Sequence, residues 1–223
     1  MASIEIHPEV EATAEEIASM EIRGAATIAA ATAGALATQA GETSAETPEQ
    51  FHDELQAAAR HLLDTRPTAV SLPNALRYVF ERIEGETVEE LAASTIAGVD
   101  EFQHRLDTAQ DDLGSIGANR LRDGDTVLTH CHSTDALACI EAAVDQGKSL
   151  SAIVKETRPR NQGHITARQL RDLGVAVTLI VDSAAGRYLD EVDHVFVGAD
   201  SIAADGSVVN KIGTRSLAVT ARE

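Results

Sequence analysis

Tryptophan is absent from this 223-residue sequence, aromatic residues make up only 3% of it, and there are just two cysteines. Two cysteines cannot form a disulfide framework, so we expect a cytoplasmic protein. No apolar run reaches the roughly 18–20 residues that a membrane span requires. The N-terminal residues Met1-Ala2-Ser3-Ile4-Glu5 lack the basic and apolar regions of a secretory signal. The sequence therefore predicts neither a membrane protein nor a secreted one.

Positive charge is scarce, with 18 Lys and Arg residues against 36 Asp and Glu residues, for a formal net charge of −18. Lysine occurs only at Lys148, Lys155 and Lys211. Such a chain is poorly suited to nucleic-acid phosphates, so we expect no nucleic-acid partner. The 43% hydrophobic content argues against an acidic disordered chain. We interpret the acidity as that of a protein from a high-salt cytoplasm, because a Debye length of about 3 Å at 1 M salt screens surface repulsion.

Hydrophobic periodicity predicts two domains, with the boundary near residues 115–122. Residues 1–120 read as a helical domain with two capping boxes, Thr47–Gln50 and Thr87–Glu90. Residues 121–223 alternate apolar runs with helical segments, which predicts an α/β domain with a parallel, Rossmann-like sheet. The four predicted strands are Thr126–Thr129, Ser151–Val154, Ala176–Val181 and His194–Val197.

Two chemically interesting residues follow predicted strands, where ligands of such sheets bind. Cys131 follows the first strand and precedes a helix, whose N-terminal dipole would lower the pKa of the thiol. The alternative is a buried apolar cysteine, as we expect for Cys139. Asp200 follows the fourth strand, where partial burial would raise its pKa and suit it to general acid catalysis. A turn-forming or helix-capping role is the alternative for Asp200, and Asp182 is equally ambiguous.

Cationic and open-backbone positions suggest an anionic ligand. Arg23-Gly24-Ala25-Ala26 stands at the head of a small-residue helix, where a guanidinium and backbone N–H groups would bind an anion. Further spots are Arg66-Pro67, Arg158-Pro159 and Asn210-Lys211. No Gly-x-Gly-x-x-Gly or Walker sequence is present, which disfavours nicotinamide and nucleoside-triphosphate enzymes.

The His130-Cys131-His132 sequence does not predict a metal site. Neighbouring side chains alternate in direction along a strand, so the three cannot converge on one ion, and we expect no metal. A Cys–His nucleophilic pair remains open, although nothing identifies an acyl substrate.

Several motifs in order resemble a known superfamily, which joins the alpha, beta and delta subunits of translation initiation factor 2B with two sugar-phosphate isomerases. The motifs are Arg23-Gly24-Ala25-Ala26, Arg66-Pro67-Thr68, Thr129-His130-Cys131-His132-Ser133, Glu156-Thr157-Arg158-Pro159, Gln162-Gly163, Gly198-Ala199-Asp200-Ser201 and Asn210-Lys211-Ile212-Gly213-Thr214. Within it, the chain is most similar to the archaeal ribose-1,5-bisphosphate isomerases. The resemblance implies a helical domain followed by a Rossmann-like domain, and conversion of ribose 1,5-bisphosphate into ribulose 1,5-bisphosphate during nucleoside breakdown.

The resemblance also implies residue roles. Asp200 would be the acid that assists ring opening, and Cys131 as thiolate the base that removes the C2 proton. The implied substrate contacts are Arg23, Gly24, Ala25, Ala26, Arg66, Ser133, Thr134, Asp135, Arg158, Asn210 and Lys211. The family implies no metal or organic cofactor, and it implies a homo-oligomer built from dimers, up to a hexamer.

The chain departs from the family at its end. The family continues for roughly a hundred residues, a domain-scale length, beyond Asn210-Lys211, whereas this sequence stops at Glu223 inside the run Ser216–Arg222. A later substrate-holding lysine has no counterpart. We therefore expect an incomplete α/β domain, low activity and association through a sheet edge.

Two other functions stay open: a methylthioribose-1-phosphate isomerase, or a non-catalytic regulatory protein that binds a sugar phosphate or nucleotide. Cys131 with Asp200 favours an enzyme, and His132-Ser133 favours the bisphosphate.

Overall fold

The computed structural model of the protein describes residues 5–222 and confirms the predicted fold class, a helical region followed by a parallel Rossmann-like sheet. Contacts divide the chain between Asp107 and Thr108, which lie inside one long helix. The domain limits 1–120 and 121–223 stay a prediction.

The first unit is helical because its apolar residues recur at helical spacing and because three of its helices begin after residues whose side chains cap them. The helices are α1 (Pro8–Ser19), α2 (Ala25–Gly41), α3 (Pro48–Leu63), α4 (Ser71–Phe80) and α5 (Val88–Ala118), of which α5 runs on into the second unit. Thr47 Oγ1 accepts a hydrogen bond from the Gln50 N–H at 3.3 Å. Thr87 and Glu90 form a reciprocal capping box, each side chain accepting from the other residue's N–H at 3.2 Å. The buried faces of these helices form one core.

The second unit has a four-stranded parallel sheet with the order β3-β2-β1-β4. Its strands are β1 (Thr126–His130), β2 (Ser151–Lys155), β3 (Ala176–Ile180) and β4 (His194–Val195). Its helices are α6 (Thr134–Asp145), α7 (Gly163–Asp172), α8 (Ala185–Tyr188) and α9 (Thr214–Arg222). The chain adds β2 and β3 on one side of β1 and then returns to place β4 on the other side. The carboxyl ends of β1 and β4 therefore flank a topological switch point, where open α/β sheets bind ligands.

Apolar residues lie on both faces of the sheet, and helices therefore cover both faces. On one face, Val127 and Val154 pack with Leu137 and Ile140 of α6 and with Leu170 of α7. On the other face, Leu128, Ile153 and Ile180 pack with Ala185 of α8 and Leu217 of α9. Strands that are buried on two faces contain consecutive apolar residues, as do β1 at Val127-Leu128 and β2 at Ala152-Ile153-Val154.

A two-stranded antiparallel hairpin was not predicted. It consists of β5 (Ser201–Ile202) and β6 (Val208–Val209). Two-residue strands are too short to show periodicity, and Ile202 and Val209 are exposed. No helix within residues 5–222 is long and apolar enough to cross a membrane.

Candidate active site

The chain turns sharply where β1 ends. Cys131 has a left-handed backbone with φ of 65°, which is uncommon for a residue with a side chain. Two threonines hold this turn: the Cys131 N–H donates to Thr157 Oγ1 at 2.7 Å, and Thr166 Oγ1 donates to the Cys131 carbonyl at 2.9 Å. His132 Nδ1 lies 3.0 Å from the same Thr166 hydroxyl. Because that hydroxyl proton goes to the carbonyl, the imidazole nitrogen donates. Strain fixed by several contacts is typical of functional turns.

The thiol of Cys131 is half-buried, and Cys131 Sγ lies 3.5 Å from Gln162 Oε1. Burial raises the pKa of the Cys131 thiol, and the nearby Asp200 carboxylate acts in the same direction. A hydrogen bond involving the His132 backbone and the Lys211 charge lower the pKa, but burial is the largest cause. The expected lowering of this pKa by the helix N-terminus is therefore wrong for the free chain, because desolvation of the thiolate outweighs the stabilising contacts.

Asp200 lies beyond β4, beside the β5–β6 hairpin, where its N–H donates to the Val209 carbonyl at 2.8 Å. Its side chain is exposed, so the expected partial burial is wrong. The chain leaves the sheet after Val195 and carries Asp200 away from the apolar strand end. The charges of Asp200 and Lys211 nevertheless act on the Cys131 thiol. The structure thus brings the predicted acid, the predicted base and a cation to one end of the sheet.

Ser133, Thr134 and Asp135 begin α6 directly after Cys131. Ser133 caps the helix, because its Oγ accepts from the Ala136 N–H at 3.2 Å. Gly198, after β4, passes so close that a Cβ there would lie 2.6 Å from Ser133 Oγ. Only glycine fits this approach of the two chain segments across the switch point. The predicted motifs at 131–135 and 198–200 are therefore neighbours in space.

The segment after β2 folds back around Asp182. The two carboxylate oxygens of Asp182 accept from the N–H groups of Thr157 at 3.0 Å and Arg158 at 2.8 Å. Asp182 therefore orders this loop, while the Arg158 side chain is exposed. Gly163 begins α7 so close to the Lys155 carbonyl that a Cβ at this position would collide with it.

Asn210, Lys211 and Thr214 come together before α9. Thr214 Oγ1 donates to the Lys211 carbonyl at 2.7 Å and accepts from Asn210 Nδ2 at 3.1 Å. His130 Nε2 lies 2.8 Å from the same hydroxyl, so this nitrogen carries the proton. Burial, the charge of Lys155 and then that of Lys211 lower the pKa of His130 to about 4, against an opposing effect of Asp182. His130 is therefore a neutral hydrogen-bond donor that positions the start of α9.

The remaining predicted contacts belong to the first unit. Gly24, with φ of 92°, precedes α2, whose N-terminus has no side-chain cap, and Ala25 and Ala26 are its first residues. Arg23 is exposed and Arg66 is half-exposed. The uncapped N–H groups at the start of α2 and the guanidinium groups of the two arginines are suited to binding an anion, which is the prediction made from the sequence.

Two residues of the site, Thr157 and Lys155, were not among the predicted site residues. Thr157 has a left-handed φ of 62°, rare for a β-branched residue, and connects the ends of β1 and β2 through its hydroxyl. Lys155 ends an apolar strand and is only 5% exposed. The scarcity of lysine in this sequence was the one signal that could have drawn attention to Lys155. Among residues 5–222, no three His, Cys, Asp or Glu side chains cluster so that they could hold a metal ion.

A helical unit and a doubly covered parallel sheet, with a cysteine, a carboxylate and a lysine at the switch point, define a Rossmann-like ligand-binding protein. The sequence matches the Initiation factor 2 subunit family over residues 21–223, and the chain belongs to this family. The resemblance seen in its motifs is thereby confirmed.

Individual relatives agree with this assignment. The ribose 1,5-bisphosphate isomerase of Haloferax volcanii is 68% identical over 98% of this chain and 68% of its own length. The protein of the same name from Haloterrigena turkmenica is 69% identical over 98% of this chain and 67% of its own. A methylthioribose-1-phosphate isomerase from Syntrophotalea carbinolica is 41% identical over 96% of this chain and 66% of its own. Translation initiation factor eIF-2B of Pyrococcus horikoshii superposes with a TM-score of 0.86 at 30% identity, covering 97% of this chain and 75% of that one.

Proposed function

We propose that this protein isomerises ribose 1,5-bisphosphate to ribulose 1,5-bisphosphate. The observation that carries the proposal is the convergence of Cys131, Asp200 and Lys211 at the switch point, in a chain 68% and 69% identical to two ribose 1,5-bisphosphate isomerases. An aldose–ketose isomerisation requires one acid and one base that exchange protons with the substrate, and these side chains supply both.

The proton movements balance with these two groups. Asp200 donates a proton to the ring oxygen as the bond between that oxygen and C1 breaks. Cys131 as thiolate takes the proton from C2, which leaves an enol across C1 and C2. Asp200 then takes the O2 proton as the ketone forms at C2, and Cys131 returns its proton to C1. Both side chains end as they began, and the two phosphates stay in place.

The raised pKa of the Cys131 thiol means that the thiolate is the minor form at neutral pH. Lys211 and the His132 backbone interaction oppose this effect and stabilise the thiolate in the low-polarity surroundings. The thiolate of a thiol with a high pKa is a strong base, and a strong base is needed to remove the weakly acidic proton from a sugar carbon.

Two phosphates require cationic or N–H contacts at both ends of the substrate. For these contacts we assign the open start of α2 with Arg23, Gly24, Ala25 and Ala26, together with Arg66 from the same unit. From the second unit we assign Ser133, Thr134, Asp135, Arg158, Asn210 and Lys211. We further propose a cytoplasmic homo-oligomer built from dimers, which acts on a small sugar bisphosphate and needs no metal or organic cofactor.

The test is incubation with ribose 1,5-bisphosphate at molar KCl and quantification of ribulose 1,5-bisphosphate, with methylthioribose 1-phosphate in parallel. We expect turnover of the bisphosphate and a fall of about 10²–10⁴-fold for Cys131→Ser and for Asp200→Asn, the usual contribution of such groups. Substrate binding should survive in both variants. Cys139→Ala is the matched control, since Cys139 lies within α6 and its thiol donates to the Asp135 carbonyl. Turnover of the methylthio sugar alone would favour the second isomerase, and near-normal rates in either site variant would overturn the assigned roles.

A further inference from the structure

Lys155 is a buried cation that has no ion-pair partner in the part of the chain that the structure describes. It ends β2, pairs in register with His130 of β1, and is 5% exposed. Within residues 5–222, its ammonium makes no ion pair and no hydrogen bond. Asp182, an acidic residue near the end of β3, uses both carboxylate oxygens on the N–H groups of Thr157 and Arg158. A buried charge of this kind is unfavourable unless something pairs with it.

The ammonium of Lys155 points to the head of α9. A Cβ on Gly213, the residue before α9, would lie 3.6 Å from Lys155 Nζ. Gly213 has φ of 99° and carries no side chain that could fill this space. The polar atoms of residues 5–222 that are sealed from solvent and without a partner belong to Thr32 and Asn161. The Lys155 ammonium is not among them, so it retains an opening.

Positive charge concentrates at this place. Lys155 and Lys211 both act on His130, and both lower its pKa. His130 is therefore neutral and adds no positive charge, but its ring donates to Thr214, the first residue of α9. The first turn of a helix adds N–H groups and the positive end of its dipole. Two of the three lysines in a chain of net charge −18 thus stand at one helix start.

We propose that Lys155, Lys211 and the first turn of α9 form a phosphate-binding site, in which Lys155 is the buried cation that the phosphate neutralises. If the proposed function is right, the bound group is one of the two phosphates of the substrate, and Lys155 is a further substrate-binding residue. An anion with several oxygens fits the site because it can accept from the ammonium groups and from backbone N–H groups together. The free chain bears the cost of this unpaired charge, and binding of an anion would recover it.

The experiment compares Lys155→Met with Lys148→Met. Lys148 is a matched control, because its ammonium already donates to the Ala118 carbonyl at 2.7 Å and because it precedes β2, whereas Lys155 ends this strand. Inorganic phosphate is titrated at constant KCl, and the melting temperature is followed. We expect phosphate to raise the melting temperature of the wild type and of Lys148→Met but not of Lys155→Met. Phosphate affinity should fall about ten- to a hundredfold in Lys155→Met, the usual effect of losing a charged hydrogen bond.

A second measurement separates binding from a structural role. Without phosphate, Lys155→Met should melt higher than the wild type, because it removes a buried charge that has no partner. Lys155→Gln serves as a second variant with a neutral polar group. An unchanged phosphate response, a lower melting temperature in both variants, or failure of both to fold would overturn the proposal.

The titration also distinguishes this proposal from the proposed function. Phosphate binding requires no turnover, so a chain that binds phosphate through Lys155 but leaves ribose 1,5-bisphosphate unchanged would contradict the function alone. A chain that isomerises the sugar with the same KM in Lys155→Met would contradict the site alone.

Discussion

Lowering the pH from 7 to 4 should cost the fold about 3 kcal/mol through His130 alone. The pKa of His130 is lowered from 6.5 to about 4 in the folded chain. Between these two pH values His130 is protonated in the unfolded chain but neutral in the folded chain. The free energy of unfolding therefore falls as the pH drops through this window. A difference of one pKa unit between the folded and unfolded chain corresponds to about 1.36 kcal/mol. The difference for His130, applied from pH 7 down to pH 4, lowers the free energy of unfolding by about 3 kcal/mol. Above pH 6.5 the residue is neutral in both states and its contribution no longer changes.

The assay is urea unfolding followed by circular dichroism at pH 7 and pH 4 in constant KCl. His130→Gln removes the titration and keeps a group that can donate to Thr214. Between pH 7 and pH 4 the free energy of unfolding should fall in both proteins. The fall should be about 3 kcal/mol smaller in this variant than in the wild type. His61→Gln, at an exposed histidine near the end of α3, should behave as the wild type does. Equal losses in the wild type and His130→Gln would refute the argument, because carboxylate titration is common to all three proteins.

Three further perturbations test the site and the surface. Iodoacetamide alkylation of Cys131 should speed up by about tenfold per pH unit from pH 7 towards 9, because the thiolate is the reacting species and is the minor form; an alkylation rate that does not change with pH would contradict the raised pKa of this thiol. The melting temperature should rise with KCl towards molar concentrations, because salt screens a net charge of −18, and a flat or falling curve would contradict the high-salt interpretation. Gly163→Ala should destabilise the fold by about 1–3 kcal/mol, since the methyl group meets the Lys155 carbonyl. Gly34→Ala in α2 has ordinary contacts and should instead stabilise by up to about 1 kcal/mol, so equal effects would show that the close approach is not restrictive.

The secondary structure was largely predictable because its signals are local. The predicted strand Ser151–Val154 is one residue shorter than β2, and the predicted helix Thr134–Gln146 is one residue longer than α6. Apolar periodicity and caps act within a few residues, so the sequence contains them directly. The β5–β6 hairpin was missed because its two-residue strands are defined by pairing with each other and not by a pattern.

Placement of the candidate site at the strand ends was also predictable, since parallel strands bring their carboxyl ends to one edge. Which of those ends form one site depends on the order of the strands. The position of β4 beside β1 brings Gly198 against Ser133 and carries Asp200 near Cys131. The roles assigned to these residues stay predictions until they are tested by the variants.

The sequence by itself determined most of the helices and strands, the fold class, the family and the residues that could carry acid–base chemistry. Only the tertiary structure decided their environments, and two of these reversed the expectation. Burial raises the pKa of the Cys131 thiol, which was expected to be lowered, and Asp200 is exposed, although partial burial was expected. Lys155 became notable only through its burial beside the start of α9. The physical reason is that residue type and spacing are local properties, whereas desolvation and the distance between charges depend on segments that are far apart in the chain.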